Sequence, residues 1–236
     1  MVGGTGTAYH DGVPGYGQFC PVAKAMELLD ERWTLLVVRE LLSGSRHFAD
    51  LQRGVPRMSP SLLSKRLRTL TRAGVVERHE ERGRVAYVPT AAGEELRPVV
   101  EALGGWGVRW LPELGDEDLD PHLLLWDMHR SIDLAAVPGR RTVVRFTFGD
   151  VDGPERDWWL VIRPDEVDVC RDDPGYAVDV DVETDLGTLT RIWRGDRAWD
   201  DGLRAGHLRV RGTEPLRRAL PGWLELSAFA GVPRLG

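Results

Sequence analysis

The residues best equipped for chemistry in this chain are cations and hydroxyls spaced three and four apart. In SPSLLSKRLRTLTR (59–72), Ser61, Ser64, Lys65, Arg68 and Arg72 fall on one side of a helix that carries no carboxylate there. Leu63, Leu67 and Leu70 fall on the other side, with Leu62 flanking them. Guanidinium, ammonium and hydroxyl groups donate to phosphate oxygens and base edges, so this face is suited to recognising duplex DNA rather than to making bonds. Ser59 and Arg66 belong to the same stretch. A predicted hairpin follows, with strands Val75–Glu77 and Val85–Val88 and Gly83 at its turn, and it adds Arg82 and Arg84 for neighbouring phosphates. Arg46 joins the set from the basic run 43–72, where seven Lys and Arg face one acid, Asp50. A solvated helix beside an exposed hairpin would explain any single cation; the combined pattern favours DNA.

A second set of chemically capable residues is aromatic. Six of the nine tryptophans lie after residue 120, and a concavity lined by Trp126, Trp159, Trp193 and Trp199 would take a small apolar ligand. Core filling accounts for tryptophans in general, but six in one small domain exceeds that need. His129 and Asp133 could share a proton on a predicted helix, yet no third ligand accompanies them, so no metal or other cofactor is expected. Neither a Gly-x-Ser-x-Gly elbow nor a Cys-x-x-Cys is present, and catalysis is not expected. Cys20 precedes Pro21 at a helix start, where the dipole could favour a thiolate, which makes it a candidate redox site.

The elements that must position these groups follow from periodicity. Ser59 before Pro60 starts the basic helix and Gly74 stops it. Apolar stripes predict two helices within 20–44, meeting near Asp30, and a shorter one over 47–54. Leu96, Val99, Leu103, Trp106 and Trp110 alternate by three and four, a seam suited to a partner helix, with a kink or late start expected at Pro98. A helix over 121–136 comes next. Period-two runs then predict strands through Val144–Phe148, Trp158–Ile162, Val167–Val169, Val178–Val182 and 207–211. Helices over 185–194, 198–205 and 214–226 complete a mostly antiparallel sheet with helices.

Charge divides the chain as periodicity does. The net charge is −6, but residues 1–112 carry 15 Lys+Arg against 12 Asp+Glu, a net of +3, and the remainder carries 16 against 25, a net of −9. Phosphate would attract the first part and repel the second. The expected organisation is a tail at 1–18, a DNA-binding domain at 19–111, a linker at 112–120 and a sensor domain at 121–236. No membrane span and no signal peptide are expected, and two cysteines give no disulfide framework, so the expected location is cytoplasmic.

Residues 19–110 resemble the HxlR family of bacterial winged-helix transcriptional regulators. The likeness rests on the Cys-Pro opening at 20–21, Arg32-Trp33, Phe-x-x-Leu at 48–51, Ser-x-x-Leu-x-x-x-Arg-Leu at 59–67 and Tyr-x-x-Thr at 87–90. It implies a winged helix-turn-helix, a homodimer built partly by the seam helix, and in some members thiol sensing at the position of Cys20. Residues 120–230 resemble the sterol-carrier-protein fold in element order and in the Trp-x-x-Gly-x-x-x-Gly-x-Leu-x-Val-x-Gly run at 199–212. That likeness implies an apolar tunnel. The expected whole is an α+β homodimeric regulator that binds double-stranded DNA and senses a small apolar ligand. The alternatives are redox sensing through Cys20 with a structural C-terminal half, or a lipid carrier or enzyme tethered to DNA.

Overall fold

The computed structural model describes residues 15–81, 83–111 and 114–235, which divide into two compact units between Leu103 and Gly104. Most of the expected tail, the expected phosphate contact Arg82 and the first two linker residues lie outside the described residues.

The N-terminal unit is built on α1 (Pro21–Leu29), α2 (Thr34–Leu42), α3 (Phe48–Gly54) and α4 (Pro60–Arg72). The Ser59 hydroxyl accepts from the Leu62 N–H at 3.3 Å and Pro60 takes the first helical position, so the start of α4 has the predicted chemistry. At its end Gly74 turns out with φ +70°. Leu63, Leu67 and Leu70 are buried against Val37, Leu41, Leu51 and Met58. A two-stranded antiparallel wing follows, β1 (Val76–Glu81) and β2 (Arg84–Pro89), with Glu81 opposite Arg84 beside the turn. Both strands outrun their predicted lengths, because the polar run Arg78–Glu81 and the terminal Arg84 leave no apolar alternation to read. The wing is tied to the start of α3: His47 bridges Ala86, and the Tyr87 N–H donates to the Arg46 carbonyl at 2.8 Å. Three helices and this hairpin form a winged helix-turn-helix.

A short α5 (Ala91–Glu94) precedes α6 (Arg97–Trp110). The chain breaks between them and Pro98 falls second in α6, where its missing N–H costs nothing, so the expected late start is what forms. Leu96 stays outside α6 and packs on the N-terminal core, which removes it from the predicted seam.

The C-terminal unit contains α7 (Pro121–Arg130), β3 (Thr142–Phe148), β4 (Asp157–Ile162), β5 (Val167–Cys170), β6 (Val180–Thr184), α8 (Leu186–Trp193), α9 (Trp199–Ala205), β7 (Leu208–Gly212) and α10 (Glu214–Trp223). Its sheet runs β5-β4-β3-β6-β7, parallel only between β3 and β6. Two helices are shorter than predicted. After α7 the chain turns extended, Ile132 bridging Leu224 and the Asp133 N–H donating to the Trp223 carbonyl. In α10, Pro221 cannot continue the hydrogen-bond ladder, and the helix ends two residues later.

Alternation fixes the two faces of this sheet. Val144, Phe146 and Phe148 with Trp158, Leu160 and Ile162 point toward α7, α8 and α10, forming the core with Leu125, Leu189 and Trp223. The opposite face carries an ion-pair row: Arg145 holds Asp181 at 2.7 Å, and Arg211 holds Glu183 at 2.7 Å. Truncating Phe146, fully buried at the sheet centre, to alanine is expected to cost about 3–5 kcal/mol in urea unfolding. A loss below about 1 kcal/mol would mean that the site repacks.

Candidate nucleic-acid interface and apolar cavity

The buried leucine side of α4 forces the opposite side outward. Ser61, Lys65, Arg68 and Arg72 are exposed there, and Ser64 is half-buried at the edge. Ser59 is exposed but has a local task, capping α4, and its hydroxyl lies 3.2 Å from that of Ser61. Arg84 is exposed on the wing, and Arg46 stands 3.9 Å from Glu81 across it. Cations and hydroxyls from α4 and the wing therefore share a unit whose rigid part is the leucine core.

Arg66 departs from the expectation. It is buried, its guanidinium pairs with Glu31, and its Nε donates to the Arg32 carbonyl at 3.2 Å. It cannot reach a groove from there. Instead it ties α4 to the turn between α1 and α2. Trp33 in that turn has φ +79°, alone among described non-glycine residues in the left-handed region, and the Arg32 guanidinium lies 5.1 Å from its ring centre. The predicted Arg-Trp pair is thus a backbone corner held by a buried cation from α4.

On α6, Val99, Leu103, Trp106 and Trp110 form an exposed apolar stripe, from 48% to 58% accessible. A Cβ at Gly104 on the same helix would meet the tip of the Phe229 ring, which would have to move. Cys20 is the N-cap residue of α1, a free, half-exposed thiol with no side-chain cap bond.

The C-terminal unit contains an apolar cavity of about 270 Å³ between Met128 of α7, Leu189, Ile192 and Trp193 of α8, Trp199 of α9, and Leu224. Of the four predicted tryptophans it brings together two, Trp193 and Trp199. Trp126 is buried elsewhere, its ring 4.3 Å from that of His129 with the Arg130 guanidinium 5.2 Å away, and it does not line the cavity. Trp159 alternates to the ion-pair face, opposite Arg145 and Cys170, so the sheet separates it from the cavity. Arg197, which sequence reasoning missed, does line the cavity; nothing in the periodicity marks a lone arginine between α8 and α9. His129 does not meet Asp133 as expected: its Nδ1 lies against the Trp126 carbonyl, and Asp133 accepts from the Ala135 N–H. Among the described residues no group of three His, Cys, Asp or Glu is placed to hold a metal, and no helix is long and apolar enough to cross a membrane.

These features define a DNA-binding helix-turn-helix protein with an additional α+β unit. The HxlR-like helix-turn-helix family model matches residues 28–114. An HTH-type transcriptional regulator of Synechocystis is 38% identical over 100 residues, covering 41% of this chain and 74% of its own. The HTH-type transcriptional regulator YvaP of Bacillus subtilis is 35% identical over 98 residues, 40% of this chain and 91% of its own. The solved reduced form of the B. subtilis transcriptional regulator YodB aligns with 42% of this chain and 100% of its own at 29% identity, with a TM-score of 0.36. The chain belongs to the HxlR-like helix-turn-helix family through its N-terminal part, and the family match stops at residue 114.

The distinct positions of Arg66 and Arg84 separate two kinds of damage. Arg66→Ala removes the ion pair to Glu31 and the bond to the Arg32 carbonyl, and is expected to lower stability by about 1–3 kcal/mol. Arg84→Ala should leave the melting temperature unchanged while reducing the slope of log affinity against log salt by about 1. Thermal melts paired with a salt titration of duplex binding check both.

Proposed function

We propose that this chain is a transcriptional regulator that binds an inverted-repeat operator as a homodimer and responds to a small, mainly apolar ligand held in its C-terminal unit. The carrying observation is the two-sided α4: leucines at near-zero exposure on one side, hydroxyls and cations on the other. Such a helix enters the major groove while the wing, through Arg84 and Arg46, reaches phosphates. The exposed stripe on α6 supports a two-fold interface, because large apolar side chains spaced along one helical face gain most from burial against a copy of themselves. A mixed sheet with helices on one face and an apolar cavity supports the sterol-carrier-like reading of the second unit. A carrier or sensor role fits that unit better than turnover.

Arg68→Ala is expected to weaken operator binding by about 1–3 kcal/mol and to relax base preference, measured by anisotropy on matched and mismatched duplexes. Unchanged affinity would place α4 outside the groove. Charge in the α6 stripe tests the dimer: Leu103→Asp with Trp110→Asp should yield monomers in sedimentation and shrink the footprint to one half-site. If oxidation of Cys20 alone released DNA, and no apolar compound did, the sensing role would pass to the thiol.

A further inference from the structure

The cavity between α8, α9 and the segment after α10 is lined almost wholly by hydrocarbon and indole, with one cation. Arg197 is half-buried, and its guanidinium donates to the Thr188 hydroxyl at 3.2 Å. Among the described residues no carboxylate lies within ion-pair distance of it. The nearby acid is already committed: Asp196 receives Arg234 at 2.6 Å and Arg194 at 3.3 Å. Arg194 shows the local surplus of positive charge, its guanidinium pushed down by burial and then by Arg234. Trp193 lines the cavity with its ring, while its indole nitrogen is buried away from the open space. The one acid in the lining, Glu225, is exposed at the mouth, where water screens it.

We infer that this cavity binds an amphipathic monocarboxylate, an arylalkyl or medium-chain organic acid whose carboxylate meets Arg197 while its apolar part lies along Trp193 and Trp199. The inference deepens the ligand-responsive reading and rests on it for its biological use, though not for the binding itself. Size agrees: about 270 Å³ is the volume of roughly nine waters at ~30 Å³ each, enough for one ring and a short chain. The carboxylate supplies the charged acceptor that the Arg197 guanidinium lacks, and a charge-assisted pair in an apolar surround is stronger than a neutral one.

The test uses the full chain, with phenylbutyrate and phenylbutanol as probes that differ only in the acid group, titrated against intrinsic tryptophan fluorescence. The wild-type protein is expected to bind the acid saturably and at least about tenfold more tightly than the alcohol. Arg197→Gln should erase that preference without changing affinity for the alcohol, and Arg197→Lys should retain part of it. Glu225→Gln, at an exposed position that folding does not need, should strengthen binding of the acid alone, and it probes the same charge balance should Arg197→Gln fail to give a cooperative melt. Equal affinity for acid and alcohol, parallel loss of both in Arg197→Gln, or no binding of either would overturn the inference. Operator affinity measured in saturating phenylbutyrate separates the two readings. Acid binding that leaves DNA affinity unchanged would sink ligand response and leave the anion site standing.

Discussion

Everything the N-terminal unit offers to DNA depends on three leucines that never see it. Leu63, Leu67 and Leu70 lie within 1% of full burial, and their 3.6-residue period fixes the rotation of α4 about its axis. With that rotation set, Lys65, Arg68 and Arg72 can only point outward. The hydrophobic gain from one side holds the cations of the other in register, and no cation need contribute to folding to be well placed. Arg66 is the exception, and it is informative. Rotated onto the buried side, it is tolerated because Glu31 and the Arg32 carbonyl satisfy it, and that satisfaction fixes the start of α2 against α4.

The C-terminal unit solves its packing with one sheet face. β3 sits at the centre, paired on both sides, with Phe146 and Phe148 fully buried beneath the helices. The other face combines the buried Val143 and Val161 with a row of ion pairs. Arg145 opposes both Trp159 and Asp181, and hydrogen bonding to Asp181 pushes its guanidinium further up. The helices that cover the apolar face are short, and α10 ends early at Pro221. Between such pieces the apolar surface does not close completely, and the cavity beside Trp193 and Trp199 is what remains.

What the residues alone disclose is what local periodicity writes. The starts of α4 and α6 are legible because Ser59-Pro60 and Pro98 act through their own backbone. The five strands of the sheet are legible from period-two apolar runs. Three things are not. Arg66 has the same side chain as Arg68, and its burial depends on Glu31, 35 positions away, which no local pattern reports. Trp158 and Trp159 are adjacent, so one must face the core and the other must not; apolar character marks both alike, and only the strand's parity places Trp159 on the far face. Trp126 escapes for a related reason, since aromatic content signals a concavity without locating it.

Charge distinguishes the two units. The second unit is strongly acidic, yet several of its arginines are matched: Arg145 to Asp181, Arg163 to Asp168, Arg211 to Glu183 and Arg234 to Asp196. Exposed pairs of this kind add little stability, each typically about 0–1 kcal/mol. Their effect is to neutralise part of the positive charge of a unit whose acidic excess disfavours phosphate. Against that background a guanidinium that meets only a hydroxyl, at the wall of an apolar cavity, has a different status. A surplus of acid nearby would ordinarily neutralise it. Because Asp196 is held by two other arginines, the charge of Arg197 is left without a carboxylate partner, and the same matching of the neighbouring charges gives the cavity a positive end.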